Sequence, residues 1–292
     1  MVPIESALPV SGSYEGTDEV LARAGGENFP VASRLLPADV RTRLLAVYGF
    51  ARLVDDVGDE AEGDRLALLD WLQADLERAA AGGAQHAVLQ RLAPMLASGE
   101  ISLEPLRSLI EANRMDQVVH RYATFDDLVA YCMLSAAPVG RLVLEVFGTP
   151  CPEVSGLSDD VCIGLQIVEH LQDVGEDARR GRVYLPVADL ECFGCAEEDL
   201  LGSTASAPLR HVVAMEADRA DSLLGSVVPL GHELPWRPRV AVCGFAGGGR
   251  AAIDAIRRAD HDVLSAHCRP ARSRRVVRAL SYLISASGPE RR

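Results

Sequence analysis

Two short stretches carry the residue types that could do chemistry. In the first, Tyr48-Gly-Phe-Ala-Arg-Leu-Val-Asp-Asp-Val-Gly-Asp-Glu60, the residues Tyr48, Arg52, Asp55, Asp56 and Asp59 interrupt an apolar run that begins at Leu44. Residues four apart on a helix point the same way, at about 1.5 Å of rise per residue. The spacing therefore predicts one polar stripe, with Asp55 and Asp59 a single turn apart. Like charges at that separation repel, so the pattern calls for a cation. The second stretch, Gln166 to Asp177, repeats the device: Asp173 and Asp177 are four apart, Glu176 lies beside them, and Arg179, Arg180, Arg182 and Tyr184 follow. Two acidic turns on separate helices, facing each other, would form a site of hard oxygen donors. Mg²⁺ suits one or two carboxylates plus water and substrate phosphate. Arginine suits phosphate oxygens, which it can grip at two points. The expectation is a Mg²⁺-bridged diphosphate site.

The elements that must position these residues are read as helices throughout. Of the 292 residues 48% are hydrophobic and only 5% aromatic, with no alternating pattern longer than four residues to suggest a strand. Residues 1–24 read as a mobile leader and 25–292 as a single helical domain. Pro37 sets up a helix over 38–60 that carries the first acidic turn. Helices over 64–80, 86–97 and 103–120 follow. Thr124 with Asp127 reads as a capping pair opening a helix that kinks at Pro138 and Gly140. Residues 149–152 read as a loop, and helix 158–178 carries the second acidic turn. Residues 185–204 look irregular. Helix 206–228 precedes a proline-rich stretch, 229–238. A helix over 239–264 is expected to break at Gly247-Gly-Gly249, and a basic helix spans 272–285.

Charge and cysteine usage narrow the class. The formal net charge of -13 speaks against nucleic acid as a partner. All basic residues are arginine, which reflects base composition first. Seven scattered cysteines, an odd number, indicate free thiols in a reducing compartment. Cys192-Phe-Gly-Cys195 lacks a second pair and reads as core packing, neither zinc nor redox site. His120 and His170 read as structural histidines. The N-terminus has no basic and apolar signal pattern, and no apolar run approaches the ~18 residues of a membrane span. The expected location is cytoplasmic. Val276, Val277, Leu280, Leu283 and Ile284 give the last helix an apolar side suited to weak, peripheral contact with a membrane surface.

With these residues in view, the chain from about 25 to 285 resembles the squalene/phytoene synthase family. The likeness lies in Asn28 to Pro37, Tyr48 to Asp59, Arg121 to Phe125, Tyr131-Cys132 with Val139-Gly140, and Gln166 to Tyr184. Within the family it is most similar to the subgroup that forms hydroxysqualene in bacterial hopanoid pathways, through Glu27 to Ala32, Ser135 to Leu144 and Leu171-Gln-Asp173. The resemblance implies an all-α isoprenoid-synthase bundle with a central cavity. It implies Mg²⁺ held by Asp55, Asp56, Asp59, Asp173 and Asp177, with Glu176 beside them. It also implies diphosphate contacts from Asn28, Arg52 and Arg182, and roles in the reaction for Tyr48, Arg52, Tyr131, Gln166 and Tyr184. The implied substrate is presqualene or farnesyl diphosphate, and the implied partners are companion enzymes of the same pathway.

The sequence departs from the family in two places. Squalene and phytoene synthases usually read Asn-x-x-Arg-Asp where this chain has Glu169-His-Leu-Gln172-Asp173, and small residues at Ala251-Ala252 replace a family tyrosine. Three alternatives stay open at this point. They are a synthase condensing two prenyl diphosphates, a prenyltransferase acting on an aromatic acceptor, and a non-enzymatic partner of a related synthase.

Overall fold

The computed structural model describes residues 36–149, 152–265, 268 and 270–287. These residues are helical almost everywhere, with no strand among them. The one isolated bridge joins Arg121 to Val183. They group into two compact units, 36–118 with 138–149 and 119–137 with 152–287. The expected leader, 1–24, and Asn28 lie outside the described residues.

In the first unit α1 (Ala38–Asp59) packs against α2 (Arg65–Ala80), α3 (Ala87–Ala97) and α4 (Leu103–Met115). Helix α1 starts after Pro37, which serves as its N-cap, and buries Val47, Phe50, Val54 and Val57 on the side away from its polar stripe. The Asp64 side chain caps α2 by accepting from the Ala67 N–H at 3.0 Å. Asp75, fully buried, accepts from the backbone N–H groups of Gln85 and His86, both at 2.8 Å, and locks the turn between α2 and α3. Helix α4 ends at Met115, earlier than the expected 120. In the second unit residues 120–123 run extended beside the segment at 181–188.

The Thr124 capping box is present. The helix it opens, α5 (Phe125–Ser135), stops sooner than expected. A new helix, α6 (Ala137–Val146), begins at once. The expected kink at Pro138 is instead a break at Ala136, which places Pro138 in the first turn of α6, where a missing N–H costs nothing. The 22-residue stretch Phe125–Val146 is also long and apolar enough by composition to cross a membrane, against the expectation that no run approaches that length. It is folded as these two separate helices, with 44% of its most apolar window buried in the protein.

In the second unit the long α7 (Pro152–Arg179) packs against α9 (Ala207–Leu224), α10 (Val227–Glu233), α11 (Trp236–Arg258) and α5. It starts six residues before the expected 158, because a proline is tolerated in the first helical turn. Two short elements occupy the stretch expected to be irregular: α8 (Val187–Phe193), closed by left-handed Gly194 at φ 65°, and a 3₁₀ turn at Glu197–Leu201. The proline-rich stretch likewise contains α10.

Helix α11 runs unbroken through Gly247 to Gly249, which corrects the expected interruption. A Cβ on Gly247 would lie 2.5 Å from the backbone nitrogen of Ala279 in α12 (Arg272–Ala286), and one on Gly249 would lie 2.6 Å from Leu165. The glycines therefore form the smooth faces on which α12 and α7 close, and that packing outweighs their poor helix propensity. The six described cysteines outside Cys151 are free. Burial pushes the Cys195 thiol up to about 11, so it stays protonated at neutral pH, whereas Cys192 is exposed and not, as expected, packed in the core.

Candidate active site

The first acidic turn closes α1. Asp55 and Asp59 are exposed one turn apart, while Asp56 points inward and is 5% exposed. Asp56 pairs with Arg52 Nε at 2.9 Å, and Nη2 of Arg52, whose side chain is 36% exposed, reaches to 3.8 Å from Glu60. The three aspartates thus divide into an outward pair and an inward residue that orients Arg52. Tyr48 lies half-buried one turn before Arg52. Asn113 of α4 donates from Nδ2 to Asp55 at 3.2 Å. Gln117 donates to the carbonyls of Gly58 and Asn113, both at 3.0 Å. Gly58 makes this approach possible, because a Cβ there would fall 2.1 Å from the Asn113 side-chain oxygen. Although Asp55 keeps accessible surface, protein on its flanks withdraws bulk water. That desolvation, reinforced by the Asp59 charge and opposed by the Asn113 hydrogen bond, raises its carboxyl to about 7.

The second acidic turn closes α7. Asp173 is exposed and Asp177 half-buried. Desolvation, with the neighbouring Asp173 charge, raises the Asp177 carboxyl to about 7 against the pull of Arg180 and Arg182. Glu176 pairs with Arg180 at 2.9 Å on the surface. Beyond the helix the chain is zipped to the segment before α5. Val183 N–H donates to the His120 carbonyl at 3.0 Å, Arg121 Nη1 to the Gly181 carbonyl at 2.6 Å, and Val187 N–H to the Tyr122 carbonyl at 2.9 Å. This carries Tyr184 into an aromatic cluster. Its ring stacks on His170 at 3.8 Å between centroids and lies 5.6 Å from Tyr131 and 5.8 Å from Tyr122. Gln166 Nε2 lies 3.3 Å from His170 Nε2. Burial pushes the His170 imidazole down to about 3, so it is neutral. His170, Val174, Asp177, Arg182 and Tyr184 line a niche large enough for one water molecule.

The second unit therefore brings Tyr131, Gln166, Asp177, Arg182 and Tyr184 together, and the first brings Tyr48, Arg52, Asp55 and Asp59 onto one stripe. Sequence reasoning missed Asn113, Gln117 and Tyr122 and read His170 as structural. A signal for Asn113 existed: Asn113 and Gln117 are four apart in the stretch expected to be helical over 103–120, although Gln117 lies just past the end of α4. Among the described residues no three His, Cys, Asp or Glu side chains converge on one point. The residues nonetheless fit a Mg²⁺ ion. Each turn offers two carboxylates, one of them held at a raised pKa that a cation would relieve, and Mg²⁺ takes its remaining oxygens from water and ligand phosphate.

The squalene/phytoene synthase family model matches residues 22–279. The chain belongs to this family. Its curated members include the hydroxysqualene synthase of Rhodopseudomonas palustris, 39% identical over 214 residues covering 71% of either chain. That of Zymomonas mobilis is 38% identical over 202 residues, 68% of this chain and 67% of the relative. The 15-cis-phytoene synthase of Synechococcus elongatus is 29% identical over 279 residues, 89% of either chain. Among solved structures, squalene synthase HpnC from Alicyclobacillus acidocaldarius superposes with a TM-score of 0.78 at 40% identity, covering 89% of this chain and 99% of that one. A dehydrosqualene synthase at 23% identity, TM-score 0.81, shares the fold over 90% of this chain and 92% of its own. The all-α isoprenoid-synthase fold expected from the family resemblance is thus the fold observed.

Proposed function

We propose that this squalene/phytoene synthase family member converts presqualene diphosphate to hydroxysqualene in a Mg²⁺-dependent reaction. The observation that carries the reading is Gln172. It stands where head-to-head synthases of the family usually place an arginine, and its Nε2 donates to the Cys268 carbonyl at 2.7 Å. It is neutral and turned to the backbone, so it adds no cation for a second diphosphate. The higher identity to hydroxysqualene synthases than to the phytoene synthase of S. elongatus supports the same reading.

Asp55 with Asp59, and Asp173 with Asp177, would hold the ions, and Glu176 borders the second pair. Bound Mg²⁺ would draw charge from the departing diphosphate. Arg182 and the exposed edge of Arg52 would grip its oxygens, and Asp56 would keep Arg52 oriented. The carbon–oxygen bond breaks with its electron pair leaving on diphosphate. The cyclopropylcarbinyl cation rearranges, bonds to the oxygen of one water, and releases a proton. No oxidant or reductant enters. The rings of Tyr131 and Tyr184 would face the cation and exclude other water, while His170 fixes Tyr184 and Gln166.

Incubation with presqualene diphosphate and Mg²⁺ in ¹⁸O-water tests this. Labelled alcohol is expected without nicotinamide cofactor. Unlabelled alcohol, or hydrocarbon formed only with NADPH, rejects it. A second reading, condensation of two prenyl diphosphates, is favoured by the 40% identity to a structure described as a squalene synthase. Consumption of farnesyl diphosphate alone, with presqualene diphosphate appearing, would establish that reading.

A further inference from the structure

Eight large apolar side chains stand well exposed among the described residues, and five of them gather at one place. Val276, Val277, Leu280 and Ile284 lie on α12, at 57%, 63%, 51% and 74% exposure, and Trp236 at 67% opens α11. The other three, Leu66, Val118 and Leu201, are scattered, and single exposed apolar residues are ordinary. At about 100° per residue the four on α12 fall within one arc of roughly 100°. The opposite side of α12 is already committed. Ala279 seats against Gly247, Ala286 against Gly231, and Arg278 bonds Asp254 at 2.6 Å. The His232 ring lies 3.0 Å from the Ser285 carbonyl, which puts the start of α11, with Trp236, at the Ile284 end of the strip. The helix is thus fixed on its inner face with an apolar outer face.

The charge of this region runs against that of the chain. The net charge is -13, yet α12 contains Arg272, Arg274, Arg275 and Arg278 and no acidic residue. Arg274 is exposed on the helix, and Arg237 is exposed beside Trp236. An apolar strip with arginine on its flanks and an interfacial tryptophan matches the headgroup boundary of an anionic bilayer. A second copy of the chain fits less well. The strip is about 12 Å long from Val276 to Ile284 and about 10 Å wide, on the order of 120 Å², short of the ~800 Å² per partner that a stable protein interface covers.

We propose that α12, with Trp236, docks this protein on the surface of an anionic phospholipid bilayer, its arc of four aliphatic side chains entering the acyl boundary. The test is flotation of the full chain with phosphatidylcholine vesicles, with and without phosphatidylglycerol. Wild type is expected to bind the anionic vesicles, and Val277→Asp with Ile284→Asp to bind about tenfold less. Both positions are exposed, and circular dichroism checks that the fold is kept. Arg274→Glu should remove most of the preference for phosphatidylglycerol. In a Trp71→Phe background, Trp236 emission should shift to the blue on adding anionic vesicles. Equal binding by wild type and the double variant, or an unshifted Trp236, overturns the proposal. So does a concentration-dependent dimer that the same two substitutions abolish, since that assigns the face to a second copy. No readout involves turnover, so failure here is separable from failure of the proposed reaction.

Discussion

Residue by residue, the acidic turns are arranged against their own stability. Asp55 and Asp177 are each desolvated beside another carboxylate, and each is raised to about 7. Asp55→Asn or Asp173→Asn should therefore lower turnover far more than it lowers the urea midpoint of the metal-free protein. A large loss of stability with kcat intact would show the pair to be structural. Asn113→Ala removes the donor that aims Asp55. Partners of metal ligands typically carry about 10–100-fold in affinity or activity, so a comparable fall is expected in Mg²⁺ titrations of turnover. His170 gives a pH prediction of definite sign. Its folded pKa, about 3, lies below the ordinary 6.5, so between these values the unfolded chain binds the extra proton. The stability from a neutral His170 is complete above pH 6.5 and is lost as pH falls toward 3, at up to about 1.4 kcal/mol per pH unit. Asp177 titrates with the opposite sign between its ordinary 3.8 and about 7. Comparing wild type with His170→Phe isolates the histidine: the variant should lose less stability on acidification from pH 7 to 5. Parallel unfolding curves against pH would contradict this.

Among the elements, α11 shows packing overruling propensity. Replacing a helical glycine with alanine ordinarily stabilises by about 1 kcal/mol. At Gly247 the added Cβ would meet the α12 backbone at 2.5 Å, and overpacking of this kind costs about 1–3 kcal/mol. Gly247→Ala should thus lower the urea midpoint, and a higher midpoint would deny the close contact of α11 with α12. The segment at 181–188 makes the same point differently. It has no helical or strand repeat before α8 begins, yet its hydrogen bonds to residues 120–122 place Tyr184 against His170.

For the whole molecule the consequence is linkage. If Mg²⁺ carries the diphosphate onto the acidic turns, as proposed, the ion and the anion should stabilise together more than separately. Saturation at about 100 times Kd adds about 2.7 kcal/mol, which for a chain of this size shifts Tm by on the order of 5 °C or more. Mg²⁺ with inorganic diphosphate is expected to reach such a shift in thermal unfolding, each alone much less, and EDTA to abolish it together with turnover. Additive shifts, or full turnover in excess EDTA, would separate the two ligands.

The sequence by itself determined the helical class, the bounds of α1 and α2 to within a residue, the Thr124 cap and the two acidic stripes. Each of these is written locally, in spacings of three or four residues or in a single turn, where helix geometry converts position directly into direction. Spacing placed Asp55, Asp56 and Asp59 together and set Asp56 one turn from Arg52, but only the tertiary structure buried Asp56 and left the other two exposed. Asn113 reaches Asp55 from 58 positions away in the chain, and Tyr122, Tyr131, His170 and Tyr184 meet from two helices and two connecting segments. No local period encodes such meetings. The same holds for Gly247-Gly-Gly249, whose composition signals a break until a neighbouring helix fills the space their missing side chains leave. Propensity acts on one residue at a time, whereas close packing acts on pairs brought together by the fold, and where the two disagree in this protein the packing prevails.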